Sequence, residues 1–429
     1  MKKLISLVLC LLMLCGCARE PVHAEPEQPT EVPTHPVVEV PMETETVEKL
    51  YEGVRLQYWS LLSQTDPEAK VLSQAAADFE QRTGAGVCLN WLDGDEEKLS
   101  QILSSGAHVD IFEMSGSGMR DKGLLYALDL TDLAANAQYE EKSWPVLRTQ
   151  MLSRYGALKA IAYRPTLYGM FYNRETFDKL GLETTPDTWQ EYLELCQLLK
   201  DSGYEGQVID QELVHLTLEL HMERALGWEV LKETMVYAKW RKNEMAGTMI
   251  QEAINFAGAG YLVKGNPAAY PLGQNRLAQS NATFVAGSNR LCLEVEQATL
   301  ADVKWGVFPY PGDGPGTGLL VDADVLAIGT TCTNQEAAFA FIMQLTTGEY
   351  DQLRADVTVG IPADPSNLSP IAGATTCMAN AIAQAPKWFD SEKNELFGRL
   401  WNGYYKTGIY FADQLNLLAP YFANEKSVG

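Results

Sequence analysis

The chain has 429 residues and a formal charge of −23 at pH 7, with 21% charged and 46% hydrophobic positions. Such a surface repels a phosphate backbone, which excludes nucleic acid as a partner and argues against recognition of anionic lipid headgroups. The roughly 375 residues beyond Val54 are enough for two α/β lobes rather than one.

Met1 to Cys17 carries two lysines and then an apolar run from Leu4 to Leu14. That run is well short of the ~20 residues a bilayer crossing needs, so it reads as a secretory signal. Leu14-Cys15-Gly16-Cys17 resembles a bacterial lipobox, which implies lipidation of Cys17 and anchorage on the extracytoplasmic face of the cell membrane. The plainer alternative is a cleaved signal with incidental cysteines. Residues 18–50 hold six prolines and eight glutamates with almost no large apolar side chains. Such a segment buries too little surface to offset chain entropy and is expected to be a disordered, acidic tether.

Val54 to Trp59 reads as a first strand. Asp66 and Pro67 occupy the N-cap and first position of a helix whose Val71, Leu72, Ala75 and Phe79 line one side before Gly84 ends it. Val87 to Leu92 follows as a strand, Glu96 to Ser105 as a helix, and Val109 to Met114 as a strand opening into Ser115-Gly116-Ser117-Gly118. This alternation predicts a mainly parallel sheet flanked by helices, with ligand crevices beyond the carboxyl ends of the strands. Trp59, Glu113 and Ser115 are therefore rim candidates.

The most informative stretch runs from Leu167 to Tyr204. Leu167 to Tyr172 is a buried strand, Asn173 caps a short helix ending at Gly181, and Pro186 closes a turn. Thr188 with Glu191 makes a capping box, and Trp189, Tyr192, Leu193, Cys196 and Leu199 fall on one helical face. The order of Tyr172-Asn173, short helix, Gly181-Leu182, Pro186 and Thr188-Trp189 resembles the signature of the family 1 extracellular solute-binding proteins of ABC importers.

Further landmarks carry the same resemblance from about Val54 to about Ser366. SGAHVDIFEMSGS with KGLLYALDLTDLA matches a strand end and helix edge, with Val109 where the family has proline. Ala160-Ile161-Ala162-Tyr163 resembles the crossing between lobes. ATFVAGSNRLCLEV resembles the turn before a buried strand, with Ser288 where Lys or Glu is usual, and VKWGVFPYP and VGIPADPS resemble the later crossings.

The resemblance implies a two-lobed, periplasmic-binding-protein-like α/β fold of type II. Lobe 1 would comprise residues 51–162 with 310–357, and lobe 2 residues 163–309 with 358–429. It also implies a monomer without cofactor that captures a small-molecule solute and hands it to ABC permease subunits in the membrane, with no chemistry on the solute. The stretch 205–270 matches the pattern poorly and supplies Trp228, Tyr237, Trp240, Tyr261 and Tyr270.

Residue chemistry supplies few signatures of catalysis or metal binding. Cys88, Cys196, Cys292, Cys332 and Cys377 read as small thiols rather than a disulfide framework. There is no GxSxG, CxxC or HExxH motif. His215 and Glu219 lie one helical turn apart, but without a third ligand on that face a solvated helix is the better account. Asp93, Asp95 and Glu96 imitate a calcium loop for only three positions. Asp322 and Asp324 alternate onto one side of a strand, whereas a glycosidase needs carboxylates on opposite sides of the bond. GDGPGTG, from Gly312 to Gly318, is interrupted by Pro315 and is expected to be a flexible connector.

Sugar rings stack their apolar faces on aromatic side chains and give their hydroxyls to carboxylates, amides and serines. The nine tryptophans and nineteen tyrosines supply many candidates for such contacts, and the resemblance implies a mono- or oligosaccharide as the solute. Trp59, Tyr168 and Trp228 are the aromatic candidates, and Glu113, Glu296 and Asp322 the polar ones. A peptide or polyamine ligand, a surface glycan-cleaving enzyme, and a scaffold or sensor that closes on no solute are the alternatives.

Overall fold

The computed structural model describes residues 49–208, 214–236, 242–261, 273–279 and 282–385. The signal, Cys17, almost the whole of the 18–50 tether, the His215 side chain, Tyr237, Trp240 and Tyr270 lie outside the described residues. Those described belong to one compact unit beginning at Lys49. Among them no helix is long and apolar enough to cross a membrane.

The chain opens with β1 (Arg55–Ser60), α1 (Pro67–Thr83), β2 (Gly86–Trp91), α2 (Glu96–Ser104) and β3 (Ile111–Met114), close to the expected boundaries. Gly84 ends α1 at φ 83°, a conformation that suits glycine. A helical turn α3 (Gly116–Gly118) follows β3, then α4 (Thr131–Asn136) and α5 (Pro145–Tyr155). The next strand, β4 (Ile161–Asn173), is 13 residues long and starts six residues before the predicted one. Its early half carries Arg164, Pro165 and Thr166, which break the apolar run that marks a strand in sequence.

After β4 come α6 (Arg174–Leu180), α7 (Trp189–Asp201), β5 (Glu205–Val208), α8 (Val214–Leu226), α9 (Trp228–Val236) and α10 (Glu244–Ala259). Asn173 Oδ1 accepts from Glu175 N–H at 3.0 Å, and the Thr188–Glu191 capping box is complete, so both predicted helix starts hold. Then follow β6 (Ala282–Ser288), α11 (Arg290–Thr299), β7 (Trp305–Phe308), β8 (Leu320–Ile328), α12 (Gln335–Thr346), α13 (Gly348–Val357) and α14 (Ala374–Asn380).

All eight strands join one sheet in the order β2-β1-β3-β8-β4-β6-β5, with β7 also on β4. The expected parallel pairing holds at the two flanks, β1 with β2 and β3, and β5 with β6. The centre is antiparallel, because β8 and β4 run against their neighbours. One edge of β4 pairs with β8 from Ile161 to Tyr168 and with β7 from Met170 to Asn173; the other edge pairs with β6 only from Tyr168 onward. Tyr168 is thus the residue at which β4 exchanges partners.

Strand alternation explains where the cores lie. One face of the central sheet carries Leu167, Phe171, Val285, Val307, Val321, Ala323 and Val325 into the larger core, which α5, α11 and α14 cover. The opposite face is apolar at both ends. At the β1 end, Leu56 and Tyr58 meet α1 and α12, with Phe79 and Phe341 centroids 5.1 Å apart. At the β5 end, Met170, Tyr172 and Phe284 meet α7 and α10 in a second core, where Tyr192 lies 5.5 Å from both Phe256 and Phe284. Between these ends the face is polar.

Two expectations are corrected here. Helix α8 is not solvated: Thr217, Glu219, His221 and Glu223 are all buried. His221 packs against both Trp189 and Tyr310, with centroids at 4.9 and 5.2 Å, and its Nε2 meets Glu252 at 3.1 Å. Nor is the Gly312–Gly318 loop loose. Arg224 Nε donates to Gly312 O at 2.9 Å and its Nη1 to Gly316 O at 2.7 Å. Glu223 accepts from Thr317 N–H at 3.1 Å and Gly318 N–H at 2.7 Å. Burial pushes the Glu223 carboxyl up, against the pull of those two N–H groups. The glycines serve close approach, since a Cβ on Gly314 or Gly316 would overlap the α8 backbone.

Candidate functional site

The polar zone is a band of alternate positions from neighbouring strands. Ser60 ends β1, Glu113 lies on β3, Asp322 and Asp324 on β8, and Arg164, Thr166 and Tyr168 on β4. Register places Asp324 opposite Arg164 and Asp322 opposite Thr166, and Tyr168 opposite Ser288. Helices add charged partners from outside the sheet: Glu68 from the first turn of α1, Arg154 from the last turn of α5, and Arg290 from the start of α11.

Arg164 is the centre of the band. Its guanidinium is ion-paired with Glu113, with Asp324 Oδ2 at 3.1 Å and with Glu68 Oε2 at 3.3 Å. Glu113 is fully buried and also accepts from Ser60 Oγ–H at 2.8 Å and Leu61 N–H at 3.3 Å. Arg290 Nη2 donates to Asp324 Oδ2 at 2.9 Å. Burial would raise the Asp324 carboxyl, but Arg290 and Arg164 outweigh it and hold the group below its ordinary range. Arg154 Nη1 donates to Asp322 Oδ1 at 2.8 Å.

That last pair lies on the backbone of Gly116, where a Cβ would come within 2.5 Å of Asp322 Oδ1 and 2.7 Å of Arg154 Nη1. The Ser115–Gly118 turn is held in place by Glu96 Oε1, which accepts from Ser115 N–H at 2.6 Å, and by Tyr155 Oη, which donates to Gly116 O at 3.1 Å. Burial raises the Tyr168 hydroxyl, with Asp322 the next contributor, so this phenol stays neutral beside the carboxylates.

Of the residues predicted from sequence, the structure brings together Tyr168, Asp322, Glu113 and Ser115. Alternation puts Trp59 on the face opposite Ser60, packed against the larger core. Trp228 is 7% exposed and packs in the second core. Glu296 accepts from Trp305 Nε1–H at 2.8 Å, on the face away from the band. Sequence reasoning missed Arg154, Arg164 and Arg290. The signal for Arg164 was present: Arg164, Thr166 and Tyr168 are polar or amphipathic at every second position of a buried strand. Of the five described cysteines, Cys196, Cys292, Cys332 and Cys377 are buried and Cys88 is exposed.

The polar, charge-paired band thus lies between apolar ends of one sheet face, at the point where β4 changes partners. Residues 63–350 match the bacterial extracellular solute-binding protein family, and the chain belongs to it. No curated protein matches it in sequence. Among solved structures it is similar to the solute-binding protein RafE in complex with raffinose, at 17% identity and a TM-score of 0.62 over 86% of this chain and 100% of that one. It is similar to a sugar transporter from Bacillus licheniformis in complex with stachyose, at 15% identity and a TM-score of 0.54 over 85% and 98%. It is also similar to a chitin oligosaccharide binding protein, at 16% identity and a TM-score of 0.59 over 86% and 99%. These are two-lobed solute-binding folds, and this chain shares the fold.

Proposed function

We propose that this protein is the receptor component of an ABC importer and captures a mono- or oligosaccharide at the polar band. The observation that carries the reading is the band itself: Tyr168, Asp322, Ser115, Thr166 and the ion-paired arginines offer hydroxyls, carboxylates and guanidinium edges between two apolar cores. That inventory suits a ring with an apolar face and several hydroxyls. The raffinose, stachyose and chitin-oligosaccharide ligands of structurally similar proteins support the class.

In this reading residues 51–162 with 310–357 form one lobe, residues 163–309 with 358–429 the other, and the strand exchange at Tyr168 lies close to their boundary. A solute that touches both lobes only when they close favours the closed state by its differential affinity. The closed monomer then docks on a permease in the membrane, held nearby by a lipid on Cys17 and the acidic tether. No reaction on the solute follows, because Asp322 and Asp324 come from one strand and each is already ion-paired with an arginine.

A thermal-shift panel of mono- and oligosaccharides, peptides and polyamines tests the class, since a ligand that binds only the folded state raises Tm. At 100 times Kd a single site contributes about 2.7 kcal/mol. One class of sugar is expected to raise Tm with peptides and polyamines silent. A shift with peptide or polyamine alone overturns the sugar reading, and silence across the panel favours a scaffold or sensor.

A further inference from the structure

We propose that Asp322 is a specificity-determining residue that makes the band reject acidic glycans, an inference that rests on the sugar reading above. Arginine is the usual receptor for a carboxylate ligand because its planar fork matches it in two places. Here the guanidiniums around the band are committed to carboxylates of the chain itself. Arg154 is held by Asp322 at 2.8 Å, Arg290 by Asp324 at 2.9 Å, and Arg164 by three carboxylates at once. Arg120, whose charge is felt by Asp322 and Tyr155, is held by Asp121 at 2.7 Å.

The Arg154–Asp322 pair can meet a ligand, with 13% and 19% of its two side chains exposed. It lies against Gly116, where a Cβ would come within 2.5 Å of Asp322 Oδ1, 2.7 Å of Arg154 Nη1 and 2.9 Å of Ala323 O, so the absence of a side chain there lets the pair sit beside the Ser115 turn. An incoming uronate would therefore find the arginines of the band, among the described residues, already paired, and would face Asp322 itself. Like-charge juxtaposition of this kind selects against a ligand without any clash of shape. Neutral hydroxyls meet no such penalty, because an Arg–Asp pair still offers them a donor and an acceptor.

The test is calorimetric titration of the wild-type protein and of Asp322→Asn with a neutral oligosaccharide and with the same glycan ending in a hexuronate. Asp121→Asn, at a side chain 54% exposed, is a second variant that leaves the fold undisturbed and releases Arg120. Wild type is expected to bind the neutral glycan at least tenfold more tightly than the uronate. Asp322→Asn should narrow or reverse that ratio at least tenfold, and Asp121→Asn should narrow it less. Equal wild-type affinity for the two glycans, or an unchanged ratio in both folded variants, overturns the proposal and leaves the sugar reading intact. Binding of neither glycan class by wild type overturns both.

Discussion

Arg164→Met is expected to be the most damaging single change in the band. The side chain that leaves is ion-paired with Glu113, Asp324 and Glu68. Asp324 keeps Arg290, but the fully buried Glu113 keeps only the Ser60 hydroxyl and the Leu61 N–H among its donors given above. Removing one partner of a buried pair leaves an uncompensated charge and costs about 3–5 kcal/mol. That is a large share of the roughly 5–15 kcal/mol by which domains are stable. Urea unfolding should show the loss as a lower midpoint at an unchanged slope. Arg164→Met with Glu113→Gln should recover part of it, because the second change removes the stranded charge.

The pH dependence follows with a definite sign. The Asp324 carboxyl is held below its ordinary value, so its contribution is fully present above about pH 4 and is lost as pH falls through and below that range. In Arg164→Met protonation instead discharges the stranded carboxylates. The gap between variant and wild type should therefore shrink on acidification, and a gap that grew would contradict this account of the cluster.

Gly316→Ala is expected to be the second large effect, at a site that looks innocuous in sequence. A Cβ there would overlap the Glu223 carbonyl oxygen and crowd Arg224 Cα, both backbone atoms that no rotamer change can move. The loop must lift off α8, and the bonds from Arg224 to Gly312 O and Gly316 O and from Thr317 and Gly318 N–H to Glu223 weaken together. Overpacking of this kind costs about 1–3 kcal/mol, and the shared hydrogen bonds place this case at the upper end. Thermal unfolding is the check. A melting temperature equal to wild type would mean that the loop is loose after all.

What was legible in the sequence follows from what is local. The helix from Trp189 to Asp201 was readable because its cap, its capping-box partner and its apolar face all lie within a dozen residues. Asp66, Pro67 and Gly84 bracket α1 in the same way. The band was only partly readable. Tyr168, Asp322 and Asp324 stood out as polar or aromatic positions in strands, but their arginine partners are set by register between β4 and β8 and by helices 168 and 34 residues from the aspartates they pair with. Glycine was the other source of error. In the Gly312–Gly318 loop it read as freedom, whereas its use there is to let two backbones touch. The parallel pairing expected from strand–helix alternation holds at the flanks of the sheet, whereas β4 and β8 run antiparallel to their neighbours, a matter of long-range pairing that no local pattern announces.

Small-angle scattering of the protein alone and saturated with the glycan that gives the largest thermal shift tests the central claim most directly. If the polar band is the floor of a cleft that closes on its solute, the radius of gyration falls on saturation. The fall should be absent in an Asp322 variant that no longer binds that glycan. A radius of gyration that stays the same while calorimetry shows full occupancy would contradict closure across the band.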